Sequence, residues 1–202
     1  MNILIHNGRL IDPSQGLDGL TDLAIADGRI LALGAAPAGF VPERTLDAQG
    51  MIVAPGLVDL AMRLREPGQE HEGMLESEMA AAVAGGVTSL VCPPDTDPVL
   101  DEPGLIEMLR HRAETLHLSR VLPLGALTRG LQGAVLTEMA QLTAAGCVGF
   151  SQAEVSLLDT QVLQRLGIAG QASQVLWPEL HHQPGREQRA DRVAGQQEAR
   201  ER

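Results

Sequence analysis

From residue 52 onward the chain alternates short apolar runs with longer helical patterns, and this alternation restricts the fold more than any other feature. Residues 52–60 form an almost continuous apolar run, as expected of a strand covered on both faces. Residues 73–84 are rich in Ala and Glu and stop at Gly85-Gly86, which predicts a helix with a glycine terminator. A second apolar run, 87–92, is halted by Pro93-Pro94. It is followed by a helical pattern over 102–116 that accommodates Pro103 in its first turn. Residues 121–125 read as a third strand, and 133–145 as a helix of weak initial propensity ending at Gly146. Residues 147–150 read as a fourth strand and 157–166 as a fourth helix. Strand–helix alternation with short loops predicts a parallel α/β sheet with right-handed crossovers. Four such units make either half of an eight-fold (β/α) barrel or an open doubly wound sheet.

The flanks differ from this middle. Residues 1–51 contain short apolar or alternating runs at 2–5, 9–11, 22–26 and 29–33, separated by Asn7-Gly8, Asp12-Pro13 and Asp27-Gly28. Asp-Gly between two apolar runs is a strong hairpin signal. This β-rich segment is too short to bury much core alone and should pack on something else. Residues 167–202 are rich in Gln and Arg, carry no sustained period, and balance five acids with five arginines. Two readings stay open for them: a natural disordered tail, or a stretch translated out of the original frame. The second is preferred, because composition changes abruptly where another strand is due. The organisation expected is therefore 1–51, 52–166 and 167–202.

Composition excludes several function classes. The formal charge is −11 with no basic patch, which argues against nucleic acid and anionic membranes as partners. All 15 basic residues are Arg; without Lys there is no Schiff-base lysine, P-loop lysine or carboxylated-lysine metal bridge. Cys92 and Cys147 are too few for a disulfide framework. The amino-terminal residues lack a signal-peptide pattern, and the most apolar stretch, 51–62, is interrupted by Pro55, Gly56 and Asp59. A soluble, cytoplasmic product is expected.

The wording of two segments is more specific than their pattern. VAPGLVDLAMRLREPGQE (53–70) and AGGVTSLVCPPDTDPVLDEP (84–103) closely resemble the dihydroorotase branch of the cyclic amidohydrolases, and HNGRLIDPSQGLDGLTDLAIADGRI (6–30) is similar to that family's opening hairpins. The resemblance covers about residues 1–166. It implies a β-sandwich-like segment beside a (β/α) barrel whose metal chemistry lies at the carboxyl ends of the strands. About four of the eight barrel units are present, so the resemblance implies a shortened chain.

Against that family's pattern the chain departs at each metal-binding position. Members carry His-x-His after the first strand, spaced so that both imidazoles share one face and one zinc ion. Here the two places are Ala61, which offers no lone pair, and Arg63, whose guanidinium has only donors and a fixed positive charge. The family's Asn after the second strand is Asp95 here, an exchange expected to repel a ligand carboxylate. The metal-binding Asp that ends the fourth strand in many bacterial relatives is Gln152, a poor ligand for hard cations. Ala61, Arg63 and Gln152 are thus vestigial metal positions, and neither a metal ligand nor a catalytic residue is expected. The substrate-binding arginine of the family is retained as Arg65. It can hold an anion or equally pair with Glu66, Glu70 or Asp59.

Other side chains with chemical potential also suit ordinary structural roles. Glu66, Glu70, His71 and Glu72 crowd the loop after the first strand and could form an atypical metal site, although acid-rich loops are usually solvated surface. His111 and His117 lie on nearly opposite faces of one helix. His181 and His182 fall in the tail. Cys92 and Cys147, each placed at a strand end that could face the mouth, suit the role of small buried hydrophobes better. Within the family, a non-catalytic dihydroorotase-like subunit of bacterial aspartate carbamoyltransferase shares the Leu-Arg-Glu-Pro-Gly wording of 64–68 and the Cys-Pro-Pro-Asp-Thr wording of 92–96. That resemblance implies a protein without a cofactor, although active relatives use zinc, whose partner is the transferase catalytic chain in de novo pyrimidine synthesis. The alternatives are a metal-dependent cyclic amide hydrolase with an atypical site, and a truncated remnant without function.

Overall fold

The structure, a computed structural model, describes residues 1–173, with side chains through residue 166. The chain forms two compact units, Met1–Gly56 and a second beginning at Leu57.

The first unit is built from two small sheets. Strands β1 (Ile3–His6), β4 (Leu23–Ala26), β5 (Arg29–Leu33) and β6 (Arg44–Asp47) make one, ordered β5-β4-β1-β6. Strands β2 (Arg9–Asp12), β3 (Leu17–Leu20) and β7 (Ile52–Val53) make the other, ordered β3-β2-β7. The Asp27-Gly28 hairpin is present: both residues take positive φ, 49° and 71°, and β4 pairs antiparallel with β5. Asn7-Gly8 instead carries the chain from one sheet to the other, since β1 and β2 pair with different partners. A Cβ on Gly8 would come within 2.7 Å of Val53.

In the second unit β8 (Leu57–Asp59), β9 (Val87–Cys92), β10 (Arg120–Ala126) and β11 (Gly149–Ser151) form one parallel sheet, ordered β11-β10-β9-β8. Helices α1 (Leu75–Ala84), α2 (Pro103–Leu116) and α3 (Met139–Ala144) make the crossovers, and α4 (Thr160–Ser173) follows β11. This is a curled parallel half barrel, one of the two arrangements the alternation allows and the one the family resemblance implies. Each helix turns one stripe inward: Leu75, Met79 and Ala82 from α1, and Ile106, Leu109 and Ala113 from α2. They meet Leu90, Cys92, Val121, Leu142 and Phe150 in a single apolar cluster. Pro103 opens α2, where its missing N–H is no loss, and His117 closes it in the left-handed conformation at φ 52°.

Three expectations are corrected. Residues 52–60 are not one strand: Pro55-Gly56 divides them, Ile52–Val53 pairs with β2 in the first unit, and the parallel sheet starts at Leu57. The division between units therefore falls at Gly56 and not at residue 51. The third helix begins at Met139, because the residues before it are held in a loop: Thr128 bridges Leu136, and the Thr137 hydroxyl donates to the Ala126 carbonyl at 2.6 Å. The fourth helix runs to Ser173 rather than ending at residue 166; most of the segment expected as a disordered or out-of-frame tail, 167–202, lies outside the described residues, as do His181 and His182. Among the described residues no helix is long and apolar enough to cross a membrane.

Candidate functional site

The carboxyl ends of β8, β9 and β11 converge on one mouth, the place where a parallel barrel presents its chemistry. At the end of β8 the Asp59 carboxylate accepts the Ala61 N–H at 2.9 Å, and the Met62 N–H donates to the Val91 carbonyl at 3.0 Å. These bonds fix the course of the chain through residues 61–63.

Arg63 then spans the mouth. Its Nε–H donates to Asp95 Oδ2 at 2.7 Å, beyond the end of β9, and its Nη2 donates to Glu154 Oε1 at 2.9 Å, beyond the end of β11. The hydrogen bond it donates to Asp95 raises the already high pKa of the guanidinium, so its charge is permanent. Asp95, read from sequence as a repulsive anion, is thus paired with the Arg63 guanidinium. The sequence separation of 32 residues hides this pairing from any local pattern.

Gln152 is buried at the end of β11. Its Nε2 donates to Thr128 Oγ1 at 2.8 Å and to the Leu131 carbonyl at 2.9 Å, while its Oε1 accepts from Thr128 at 3.0 Å. The amide is a tie between β11 and the loop after β10. Ala61 presents only a methyl group. The donor set at Ala61, Arg63 and Gln152 therefore does not fit a zinc ion, whose ligands must be lone-pair donors free to converge.

Arg65 is neither an open anion receptor nor paired as the sequence suggested. Its Nη1 contacts Glu72 Oε2 at 2.9 Å and Gln69 Oε1 at 3.2 Å, not Glu66, Glu70 or Asp59. The acidic loop of the alternative metal reading is dispersed. Glu66 turns into the core, where Oε2 accepts the Leu75 N–H at the start of α1 at 3.0 Å and Oε1 meets Arg112 on α2. Glu70 accepts the Gly68 N–H at 2.9 Å, which lowers its pKa. Glu72 serves Arg65, and His71 is exposed. Among the described residues no group of three His, Cys, Asp or Glu side chains is placed to hold a metal ion.

Cys92 ends β9 and is buried, its thiol pushed up to about 11 by desolvation. Cys147 precedes β11 and so sits at the opposite end of the sheet from the mouth, correcting its expected placement; burial raises its pKa too. Sequence reasoning missed Glu66 and Arg112 as partners and missed Glu154 entirely. A motif scan has no signal for a pair formed between a loop and the next helix but one.

Comparison with known proteins agrees with this architecture. Residues 50–173 match the Dihydro-orotase-like family model. The chain is 50% identical over 165 residues to a dihydroorotase-like protein of Pseudomonas putida, and 48% identical to one of Pseudomonas aeruginosa. It is 42% identical over 167 residues to a dihydroorotase of Geobacter sp. strain M21. Each alignment covers 82% of this chain but 39% of the relative, so the chain spans well under half the length of these proteins. Among solved structures, L-hydantoinase from Arthrobacter aurescens superposes with a TM-score of 0.67 at 23% identity, over 83% of this chain and 39% of that one. A D-hydantoinase gives 0.61 at 19% identity, over 85% of this chain and 38% of that one. These structures share the fold, and only part of their barrels is matched. By its matched family model, its parallel half barrel and its strand-end wording, the chain belongs to the dihydroorotase-like family.

Proposed function

We propose that this chain is a non-catalytic dihydroorotase-like protein that binds and supports the catalytic chain of aspartate carbamoyltransferase in de novo pyrimidine synthesis, in the cytoplasm. One observation carries the non-catalytic part: the Arg63 guanidinium, paired to Asp95 and Glu154, stands at the mouth where the family's enzymes place a metal imidazole. With Arg65 engaged by Glu72, no described arginine at the mouth is free to receive a substrate carboxylate. Two of the relatives, at 50% and 48% identity, bear the name dihydroorotase-like protein. The transferase as partner rests on the shared wording of 64–68 and 92–96. The hydrolase alternative is weaker, because Glu66, Glu70 and Glu72 are each committed elsewhere.

The test has two arms. Purified chain is analysed for metal and assayed for dihydroorotate hydrolysis with added zinc; the expected results are no stoichiometric zinc and no chelator-sensitive turnover. It is then mixed with aspartate carbamoyltransferase and examined by light scattering, where a stable complex is expected. Zinc-dependent turnover overturns the non-catalytic reading, and failure to associate overturns the partner.

A further inference from the structure

The contacts of Arg63 define more than a lost metal site. Asp95 and Glu154 bring two carboxylates to the mouth from the ends of two different strands, and both turn to the same guanidinium. Left without a cation they would be like charges held on one rim. The Asp95 side chain is 27% exposed and that of Arg63 36%, so their attraction is only partly screened by water, whereas Glu154 at 85% contributes less. The donors are also directional. Nε and Nη2 project from one plane in a fixed fork, a shape that an ammonium or a spherical ion does not reproduce.

We infer that the mouth is an internal cation site, with Asp95 as its principal anion and Glu154 as its second, whose resident cation is the guanidinium of Arg63. The two carboxylates are met by a planar, forked donor in place of a metal ion. Arg63 is a positioning residue: it cross-links the segments that follow β8, β9 and β11, and it makes Asp95 tolerable at the rim. The residues at 63 and 95 are therefore coupled, each costly without the other. This extends the non-catalytic reading to what holds the mouth together, and it does not depend on the transferase, so its failure leaves the partner test unaffected.

Chemical rescue tests it. Arg63→Ala removes the guanidinium together with the stem that delivers it, and ethylguanidinium restores both in part. The full 202-residue chain carrying Arg63→Ala should melt about 2–4 °C below the parent, as expected for a partly exposed pair in a chain of this size. Ethylguanidinium chloride at a low, non-denaturing concentration should recover at least half of that shift. Ethylammonium chloride, sodium chloride and zinc chloride at matched ionic strength should not. In Arg63→Ala/Asp95→Ala the ethylguanidinium effect should vanish. An unchanged melting temperature in Arg63→Ala, equal rescue by ethylammonium or zinc, or rescue that survives loss of Asp95 overturns the inference.

Should Arg63→Ala fail to fold, the unmodified chain still decides the matter by nitrogen-15 NMR. The Arg63 Nε–H should exchange slowly and lie apart from exposed arginine signals, and Asp95→Asn should abolish both properties. An Arg63 signal that Asp95→Asn leaves unmoved overturns the inference equally.

Discussion

Replacing Arg112 with alanine should destabilise the second unit by about 2 kcal/mol, and the reason lies in where Glu66 sits. The Glu66 side chain is 4% exposed and holds two partners, Arg112 on α2 and the Leu75 N–H at the start of α1. Arg112 itself is 49% exposed. Orphaning a fully buried charge costs roughly 3–5 kcal/mol. Water around the exposed half of Arg112 weakens the pair, while the Leu75 N–H and the amino-terminal end of α1 retain part of the carboxylate's stabilisation, so the expected loss falls below that range, to about 2 kcal/mol. The second variant sharpens the test. Glu66→Gln/Arg112→Ala removes the orphaned charge and keeps an amide oxygen for Leu75, so the double variant should be more stable than Arg112→Ala alone. Urea unfolding followed by circular dichroism at pH 7 gives the four corners of the cycle from midpoints at constant slope. A loss under about 0.5 kcal/mol for Arg112→Ala, or strict additivity in the double variant, would refute the assignment of Glu66 as a buried charge dependent on Arg112.

Three other outcomes follow from the same packing. Gly68, at φ +97°, faces the Asp97 carbonyl oxygen so closely that a Cβ would collide with backbone, whereas Gly28, at φ +71°, has open space around it; Gly68→Ala should cost roughly 3 kcal/mol against about 1 kcal/mol for Gly28→Ala, measured by thermal or urea unfolding. Gln152→Leu should cost about 2 kcal/mol, because it leaves the Leu131 carbonyl unpaired and takes a partner from Thr128 inside the loop. Native Cys92 should resist iodoacetamide at pH 8 and react fully in denaturant. With a folded pKa of about 11 against 9.0 unfolded, the unfolded thiol ionises first, so the Cys92 contribution to stability is complete below pH 9 and declines as pH rises toward 11.

Much of the architecture is legible in the chain because its signals are local. The alternation of apolar runs with Ala- and Glu-rich helices, the glycine stop at Gly85-Gly86, Pro103 at the head of α2 and the Asp27-Gly28 turn each act over a few residues. Strands β3 and β6 escape because their apolar content is low: Leu17–Leu20 holds Asp18 and Gly19 between its leucines, and Arg44–Asp47 is exposed throughout. Their strand character comes from pairing with β2 and β1, partners that composition does not reveal. Residues 52–60 mislead because apolarity alone does not weigh Pro55-Gly56 as a break. At the mouth, the identities of Ala61, Arg63 and Gln152 already exclude a shared metal. What those residues do instead depends on contacts 32, 91 and 24 positions away in the chain, and no spacing rule reaches that far.

The amide of Gln152 has both hydrogens engaged, one by Thr128 and one by Leu131, and its oxygen accepts from the same threonine. A molecule diffusing into that corner meets a wall whose hydrogen-bonding vocabulary is already used by the protein itself. Engineering a receptor or a catalyst there would have to start by freeing donors from the framework, and the loop after β10 would loosen with each one released.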